Sequence, residues 1–248
     1  MSVIIKAENI GIKFNLGKVG YKKMHITLKD ILQKGEEVRK TEENSSDFWA
    51  LKNISFSINK GDILGVVGSN GSGKSTLLRI IAGVYSLDEG ELEVKGTISP
   101  LLSLGTGFKP ALSGYDNIFL NGVVMGFKKH EIEKHVKEII EFSELGNFIF
   151  QPVKNYSSGM KARLGFSIAV FLKRDIMLID EVLGVGDYKF REKSQNKMQE
   201  IIHSGQTIII VSHNLESIKK FANKAIWINK GELMMAGETN QVLDKYTS

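Results

Sequence analysis

Gly68-Ser69-Asn70-Gly71-Ser72-Gly73-Lys74-Ser75-Thr76 follows the apolar run Asp62-Ile63-Leu64-Gly65-Val66-Val67 and leads into a segment with helical patterning over residues 74–82. The spacing G-x-x-x-x-G-K-[ST], set between an apolar strand and a helix, is that of a polyphosphate-binding loop. A single side chain cannot hold several phosphate oxygens. Glycines let successive backbone N–H groups converge on the anion, and the helix N-terminus adds a favourable partial charge. Lys74 then brings a point charge to the outer phosphates, and the Ser75 hydroxyl is suited to ligate Mg²⁺. Residues 68–76 are therefore the expected seat of a nucleoside triphosphate.

Downstream of this loop, Arg174-Asp-Ile-Met-Leu-Ile-Asp180-Glu181 is an apolar strand ending in two acids. On a buried parallel strand, carboxylates at the C-terminal end sit where such sheets bind ligands. Asp180 is expected to hold Mg²⁺ through water, as the acidic partner to Ser75. Glu181 is suited to orient or deprotonate an attacking water. The expected chemistry is phosphoryl transfer to water. Strands are predicted at residues 4–9, 50–58, 62–67, 176–179 and 207–211, with a strand pair at 225–229 and 232–235 around Lys230-Gly231. Helices are predicted at 74–82, 114–126, 128–142, 158–172, 189–202 and 238–246. Alternating strands and helices argue for an α/β fold, a mostly parallel sheet covered by helices on both faces.

One polar segment, residues 15–47, interrupts this rhythm. Inside it Met24, Leu28, Ile31 and Leu32 fall on one helical face. Such a helix either packs on its own domain or is presented to a partner. The chain has 248 residues, 33 Lys and Arg against 28 Asp and Glu, and no cysteine. The missing cysteines exclude disulfides, thiolate nucleophiles and Cys-based zinc sites. The longest stretch without Asp, Glu, Lys or Arg, residues 201–215, contains Ser, Gln, Thr, His and Asn. It falls short of the roughly 20 apolar residues of a spanning helix. The opening MSVIIKAENIGIKF carries charges where a signal peptide needs an apolar region. The chain is expected neither to cross a membrane nor to be secreted, and its +5 charge permits an acidic partner without demanding one.

Asn155-Tyr-Ser-Ser-Gly-Met-Lys-Ala-Arg-Leu164 adds a third element. Ser157, Ser158 and Gly159 open a helix and offer hydroxyls and free N–H groups to an anion. The order phosphate loop, Ser157-Ser158-Gly159-Met160, apolar strand with Asp180-Glu181, then Ile208-Ile-Ile-Val-Ser-His213 resembles the nucleotide-binding subunit of an ATP-binding-cassette transporter. Three further segments are similar to one branch, the ATPases of polysaccharide exporters for O-antigen, capsule and teichoic acid. They are Tyr156-Ser-Ser-Gly-Met-x-x-Arg-Leu164, Asp180-Glu-Val-Leu-Gly-Val-Gly-Asp187 and Leu101-Leu-Ser-Leu-Gly-Thr-Gly-Phe108. An insertion ahead of Phe48-Trp-Ala-Leu-Lys52 also looks like this branch.

The resemblance implies one cassette over residues 1–248: a P-loop NTPase core, an antiparallel β subdomain and a helical signature subdomain at about 114–172. It implies ATP and Mg²⁺ as cofactors and a homodimer in which residues 157–160 of one copy close over the ATP held by Lys74 of the other. His213 would contact the γ-phosphate, Asp187 would lie at the dimer seam, and Phe14 would stack on adenine, with Tyr21, Phe48 and Trp49 as rivals. The implied partners are two copies of a multi-span membrane permease, with lipid-linked polysaccharide as cargo and no nucleic acid. The implied place is the cytoplasmic face of the inner membrane. The sequence departs from the family at one point: no glutamine occurs between Gln33 and Gln151. Ser103 stands in the window where the family places a glutamine that touches the metal, and could bind a metal-bound water. Residues 101–115 remain the expected docking surface for the membrane subunit. Because the sequence stops at Ser248 after the last helix, the resemblance implies a short form without an added carbohydrate-binding domain. Competing readings are an importer or drug-exporter ATPase, and a cassette ATPase acting on nucleic acid or the ribosome.

Overall fold

A computed structural model describes residues 2–15, 47–101, 107–180, 187–212 and 214–248. Strands β1 (Val3–Asn15) and β2 (Asp47–Asn59) pair antiparallel, ending on Asn15 opposite Asp47. The polar insertion thus leaves and rejoins the fold at one end of a strand pair; residues 16–46, with Tyr21 and the expected helix face, lie outside the described residues. Then come β3 (Ile63–Val67), α1 (Lys74–Ile81), β4 (Glu89–Val94) and β5 (Ile98–Leu101). A helical stretch follows: α2 (Gly114–Val124), α3 (Lys129–Glu133), α4 (Val136–Ser143), two 3-10 turns (Gly146–Phe150, Val153–Asn155) and α5 (Ser158–Phe171). The chain ends with β6 (Ile176–Asp180), α6 (Tyr188–His203), β7 (Thr207–Val211), α7 (Leu215–Phe221), β8 (Lys224–Asn229), β9 (Glu232–Glu238) and α8 (Thr239–Thr247).

Among the described residues the strands form two sheets. One is antiparallel, in the order β2-β1-β4; the other has six strands in the order β5-β6-β7-β3-β8-β9. The latter is parallel except for β9, which returns antiparallel along β8. Period-two side-chain direction divides its buried strands between two cores. Leu64, Val66, Leu178, Ile209 and Val211 face α1 and the antiparallel sheet. Ile63, Val67, Met177, Ile179, Ile208 and Ile210 face Phe166, Phe190, Met198 and Ile218 of the helices behind. Both faces are buried, which is why these strands read as uninterrupted apolar runs. A third core joins Ile118, Ile132, Ile139, Leu145, Ile149 and Val153 to Leu164, Ile168 and Leu172. Helix α5 is shared: Phe166, Ala169 and Val170 serve the second core and Leu164 and Ile168 the third.

The structure differs from the sequence expectation in places. The predicted helix at 128–142 is two helices, α3 and α4. The Glu131 carboxylate accepts from the Lys128 N–H at 2.6 Å to close the first turn of α3, and the chain restarts at His135, whose ring Nδ1 meets Glu138 at 2.9 Å. Ile132 and Ile139 still reach the same core. Strands β4 and β5 and helix α7 have no counterpart among the predicted elements, and β1 and β2 run several residues past their predicted bounds. No described helix is long and apolar enough to cross a membrane.

Candidate active site

The loop between β3 and α1 keeps its shape by glycines in left-handed conformations, Gly71 at φ 76° and Gly73 at φ 107°. Gly73 is also the N-cap of α1, and no side chain caps that helix. Its first-turn N–H groups are thus oriented toward whatever anion occupies the loop. The Lys74 side chain is 6% exposed and folds back over the loop, its Nζ donating to the carbonyls of Gly68 and Ser69, each at 2.9 Å. These two bonds lay the ammonium across the loop.

A cavity of about 400 Å³ opens over this loop, in the size range of small-ligand sites. Asn70, Gly71, Gly73, Lys74, Ser75 and Thr76 line its floor, and Asp180 and Val211 its inner wall. Asp180 stands at the C-terminal end of β6, paired in register with Val211 of β7. The sequence expectation that Lys74, Ser75 and Asp180 share one site therefore has its geometric counterpart in a single cavity. Ser75 and Asp180 offer hard oxygen donors of the kind Mg²⁺ takes, with phosphate oxygens and water completing the shell. No group of three or more His, Cys, Asp or Glu among the described residues could hold a metal alone. Such a donor set fits an ion that arrives with its phosphates better than a resident one.

Of the four aromatics weighed for adenine, Phe48 lines the cavity and Phe14 does not. The two stand opposite each other across β1 and β2, but the Phe14 ring packs edge-on against Tyr85 at 5.6 Å. Trp49 points to the other face of β2, with the ammoniums of Lys13 and Lys52 each 5.8 Å from its ring. Phe48, 50% exposed, is the one ring of Phe14, Phe48 and Trp49 that lines the cavity; Tyr21 lies outside the described residues. Ala50, two residues on and on the same face, lines the cavity too and was missed; strand alternation starting from Phe48 points to it. Phe48→Ala is expected to remove about 1–3 kcal/mol of base stacking. ATP affinity measured by calorimetry should then fall between roughly 5- and 150-fold, with tripolyphosphate affinity unchanged.

The residues expected to act from a second copy are elsewhere. Ser157 caps α5, its Oγ accepting from the Met160 N–H at 3.1 Å, and Ser157 and Ser158 are exposed. A Cβ on Gly159 would meet only Ser157 Oγ, at 3.8 Å, so this helix start is open to a neighbour. It is fixed from behind by Tyr156, whose buried hydroxyl donates to the Phe148 carbonyl at 2.6 Å and whose pKa is raised by that burial. Residues 157–160 do not line the chain's own cavity. Asp187 caps α6 by accepting from the Phe190 N–H at 2.9 Å, beside the exposed Tyr188. Glu181, His213 and Ser103 lie outside the described residues. Their chain neighbours are placed: Asp180 in the cavity wall, and Asn214 capping α7 through the Ser217 N–H at 3.1 Å.

Comparison with known proteins accounts for this arrangement. The family described as ABC transporter matches residues 51–184, more than half of the chain. The chain belongs to the ABC transporter family. Among curated relatives, the teichoic acids export ATP-binding protein TagH of Bacillus cereus is 41% identical over 246 residues, 99% of this chain and 43% of that protein. TagH of Staphylococcus epidermidis is 42% identical over 246 residues, 99% of this chain and 89% of that protein. The O-antigen export system ATP-binding protein RfbB of Myxococcus xanthus is 41% identical over 222 residues, 90% of this chain and 51% of that protein. The chain thus spans about half the length of several curated relatives it matches. A solved dimer of the ATP-binding cassette MJ0796 bound to ADP and Pi superposes with a TM-score of 0.71 at 21% identity, covering 95% of this chain and 98% of that one. That likeness establishes the cassette fold.

Proposed function

We propose that this ABC transporter family member is the ATP-hydrolysing motor subunit of an exporter of lipid-linked polysaccharide. The observation that carries the reading is the single cavity in which Lys74, Ser75 and Asp180 meet beneath Phe48. The loop N–H groups and Lys74 bind and orient the triphosphate, and Phe48 covers the base. Ser75 and Asp180 would hold Mg²⁺, which would supply neutralisation of phosphate charge. Glu181, next after Asp180, takes the proton of the attacking water, and His213, two residues past the cavity-lining Val211, contacts the γ-phosphate. Ser157, Ser158 and Gly159 of the partner subunit close the second side of the nucleotide, with Asp187 and Tyr188 at the seam. Hydrolysis is then conditional on closure, which turns bond cleavage into motion. The insertion at residues 15–47 and the helical subdomain at about 114–172 belong to the same reading, as parts of one cassette.

The cargo reading is supported by the names of the relatives, which export teichoic acids or belong to an O-antigen export system. A docking face is supported by exposed aromatics in the helical region. Phe148 and Phe150 are 58% and 63% exposed, and Tyr115 packs against Phe150 at 5.8 Å. Segment 110–114, part of the expected docking surface, is hydrogen-bonded to the 3-10 turn just after them: Val153 N–H to the Leu112 carbonyl and Lys154 N–H to the Pro110 carbonyl, both at 2.9 Å. Rings this exposed, next to a segment so fixed, suit a permease loop that buries them. Phe150→Asp is expected to abolish co-purification with the membrane protein encoded beside this gene and to leave the ATPase rate of the free subunit within about twofold, since surface changes remote from a site are near neutral. Retained co-purification would move the docking face elsewhere; loss of a co-purifying permease altogether from the wild-type chain would remove the exporter reading.

A further inference from the structure

The turn between β8 and β9 lines no part of the cavity, yet it holds together two structures that do. The Gly231 N–H donates to the Ser72 carbonyl of the phosphate loop at 3.0 Å, and the Lys52 N–H of β2 donates to the Gly231 carbonyl at 2.8 Å. One residue therefore ties the loop to the strand that carries Phe48 and Ala50. The contact leaves no space. Gly231 has φ 81°, and a Cβ there would lie 2.8 Å from the Ala50 carbonyl oxygen and 3.3 Å from that of Trp49. The loop is equally close on its own glycines: a Cβ on Gly68 would be 2.1 Å from the Ile228 carbonyl oxygen, and one on Gly73 would be 2.7 Å from that of Ala50. Loop, β2 and the β8–β9 turn thus meet backbone to backbone, where nothing can swing aside as a side chain does.

The consequence follows from the topology. Phe48 belongs to the three-stranded sheet, whereas the phosphate loop issues from β3 of the six-stranded one. A ligand that engages both is bound tightly only if the two sheets hold a fixed register, because a misplacement of about 1 Å forfeits most of the gain from a second contact. We propose that Gly231 is a positioning residue that sets the span between the base-covering ring and the phosphate loop. The proposal rests on the reading of the cavity as an ATP site.

The test compares affinities for ATP and for tripolyphosphate, both with Mg²⁺, by calorimetry. Gly231→Ala and Gly231→Asn are measured beside wild type, Phe48→Ala and Gly237→Ala. Asn tolerates the left-handed conformation better than Ala, so it separates backbone strain from the push on Ala50. Gly237 is the control in the same strand pair, where a Cβ would meet only Gln241 at 3.8 Å. Both Gly231 variants are expected to lose about tenfold in ATP affinity while tripolyphosphate affinity stays within about twofold. Their preference for ATP over tripolyphosphate then falls to that of Phe48→Ala, and Gly231→Ala added to Phe48→Ala costs little more, as expected for groups acting as one unit. Gly237→Ala changes neither affinity. Unchanged ATP affinity, an equal loss of both ligands, or loss of the folded state in both Gly231 variants overturns the proposal; the last two place Gly231 in the loop or the fold rather than in the register. A wild-type chain that fails to bind ATP instead fails the ATP reading, and this inference with it.

Discussion

Lys74→Ala is expected to abolish ATP turnover, by about 10²–10³-fold or more, in a chain that remains folded. The magnitude follows from removing a preorganised cation from the place where negative charge gathers in phosphoryl transfer, an effect of that order when a single donor is lost. The structure explains why the change is local. Lys74 begins α1, and the helix is anchored by Leu77, Leu78, Ile80 and Ile81, all buried in the core between the two sheets. Those contacts survive the substitution, so the helix and the strands around it persist. What is lost is the ammonium that spans the loop, donating to the carbonyls of Gly68 and Ser69. Two carbonyl oxygens then face a triphosphate of the same sign without the intervening positive charge. Binding is expected to weaken along with hydrolysis, since the same contact serves ground state and transition state. Calorimetry with ATP, a coupled phosphate-release assay and thermal unfolding together check the prediction. A variant with wild-type turnover would remove Lys74 from the site.

The phosphate loop was legible because its information is local: nine consecutive residues specify their own turn, with no distant partner needed. The buried strands were legible for a related reason. β6 and β7 have helices on one face and the antiparallel sheet on the other, so both sets of side chains are apolar and the pattern needs no phase. Strand β4, Glu-Gly-Glu-Leu-Glu-Val, carries no such signal. It is an edge strand with Glu89, Glu91 and Glu93 exposed, and it is a strand only because β1, about eighty residues earlier, offers a ladder to it. The split between α3 and α4 was hidden by Ile132 and Ile139, whose seven-residue spacing suits a continuous helix as well as two short ones. Phe14 and Phe48 show the limit most clearly. They are cross-strand neighbours of equal chemistry, and what tells them apart is that the Phe14 ring packs on Tyr85 while Phe48 lines the cavity. Gly231 reads in sequence as a turn glycine and nothing more; its contact with Ser72 lies some 160 residues away along the chain. Function written into neighbouring residues is visible in sequence, and function written into the meeting of two sheets is not.

Glu181→Gln is expected to separate what Lys74→Ala removes together. The amide keeps the size and hydrogen-bonding reach of the carboxylate but cannot take a proton, so hydrolysis should fall by about 10²–10⁴-fold while ATP affinity stays within about twofold. The expectation rests on the order of residues at the end of β6: Asp180 lines the same cavity as Ser75 and is paired with Val211 of β7, and Glu181 is the next residue. If residues 157–160 of a partner subunit close over the nucleotide, a chain that binds ATP without cleaving it should accumulate as the closed dimer. Light scattering is then expected to show Glu181→Gln shifting from monomer to dimer on addition of ATP, with no shift on addition of ADP. Adding Lys74→Ala to Glu181→Gln should abolish that dimer, because the nucleotide that bridges the two copies is no longer held. Adding Ser157→Ala should weaken it for a different reason: the α5 cap is worth about 0.5–2 kcal/mol, and its loss loosens the helix start that meets the partner's nucleotide. Undiminished turnover in Glu181→Gln would move the general base to another residue. Lost turnover without an ATP-dependent dimer would leave the base in place and break the link between closure and hydrolysis.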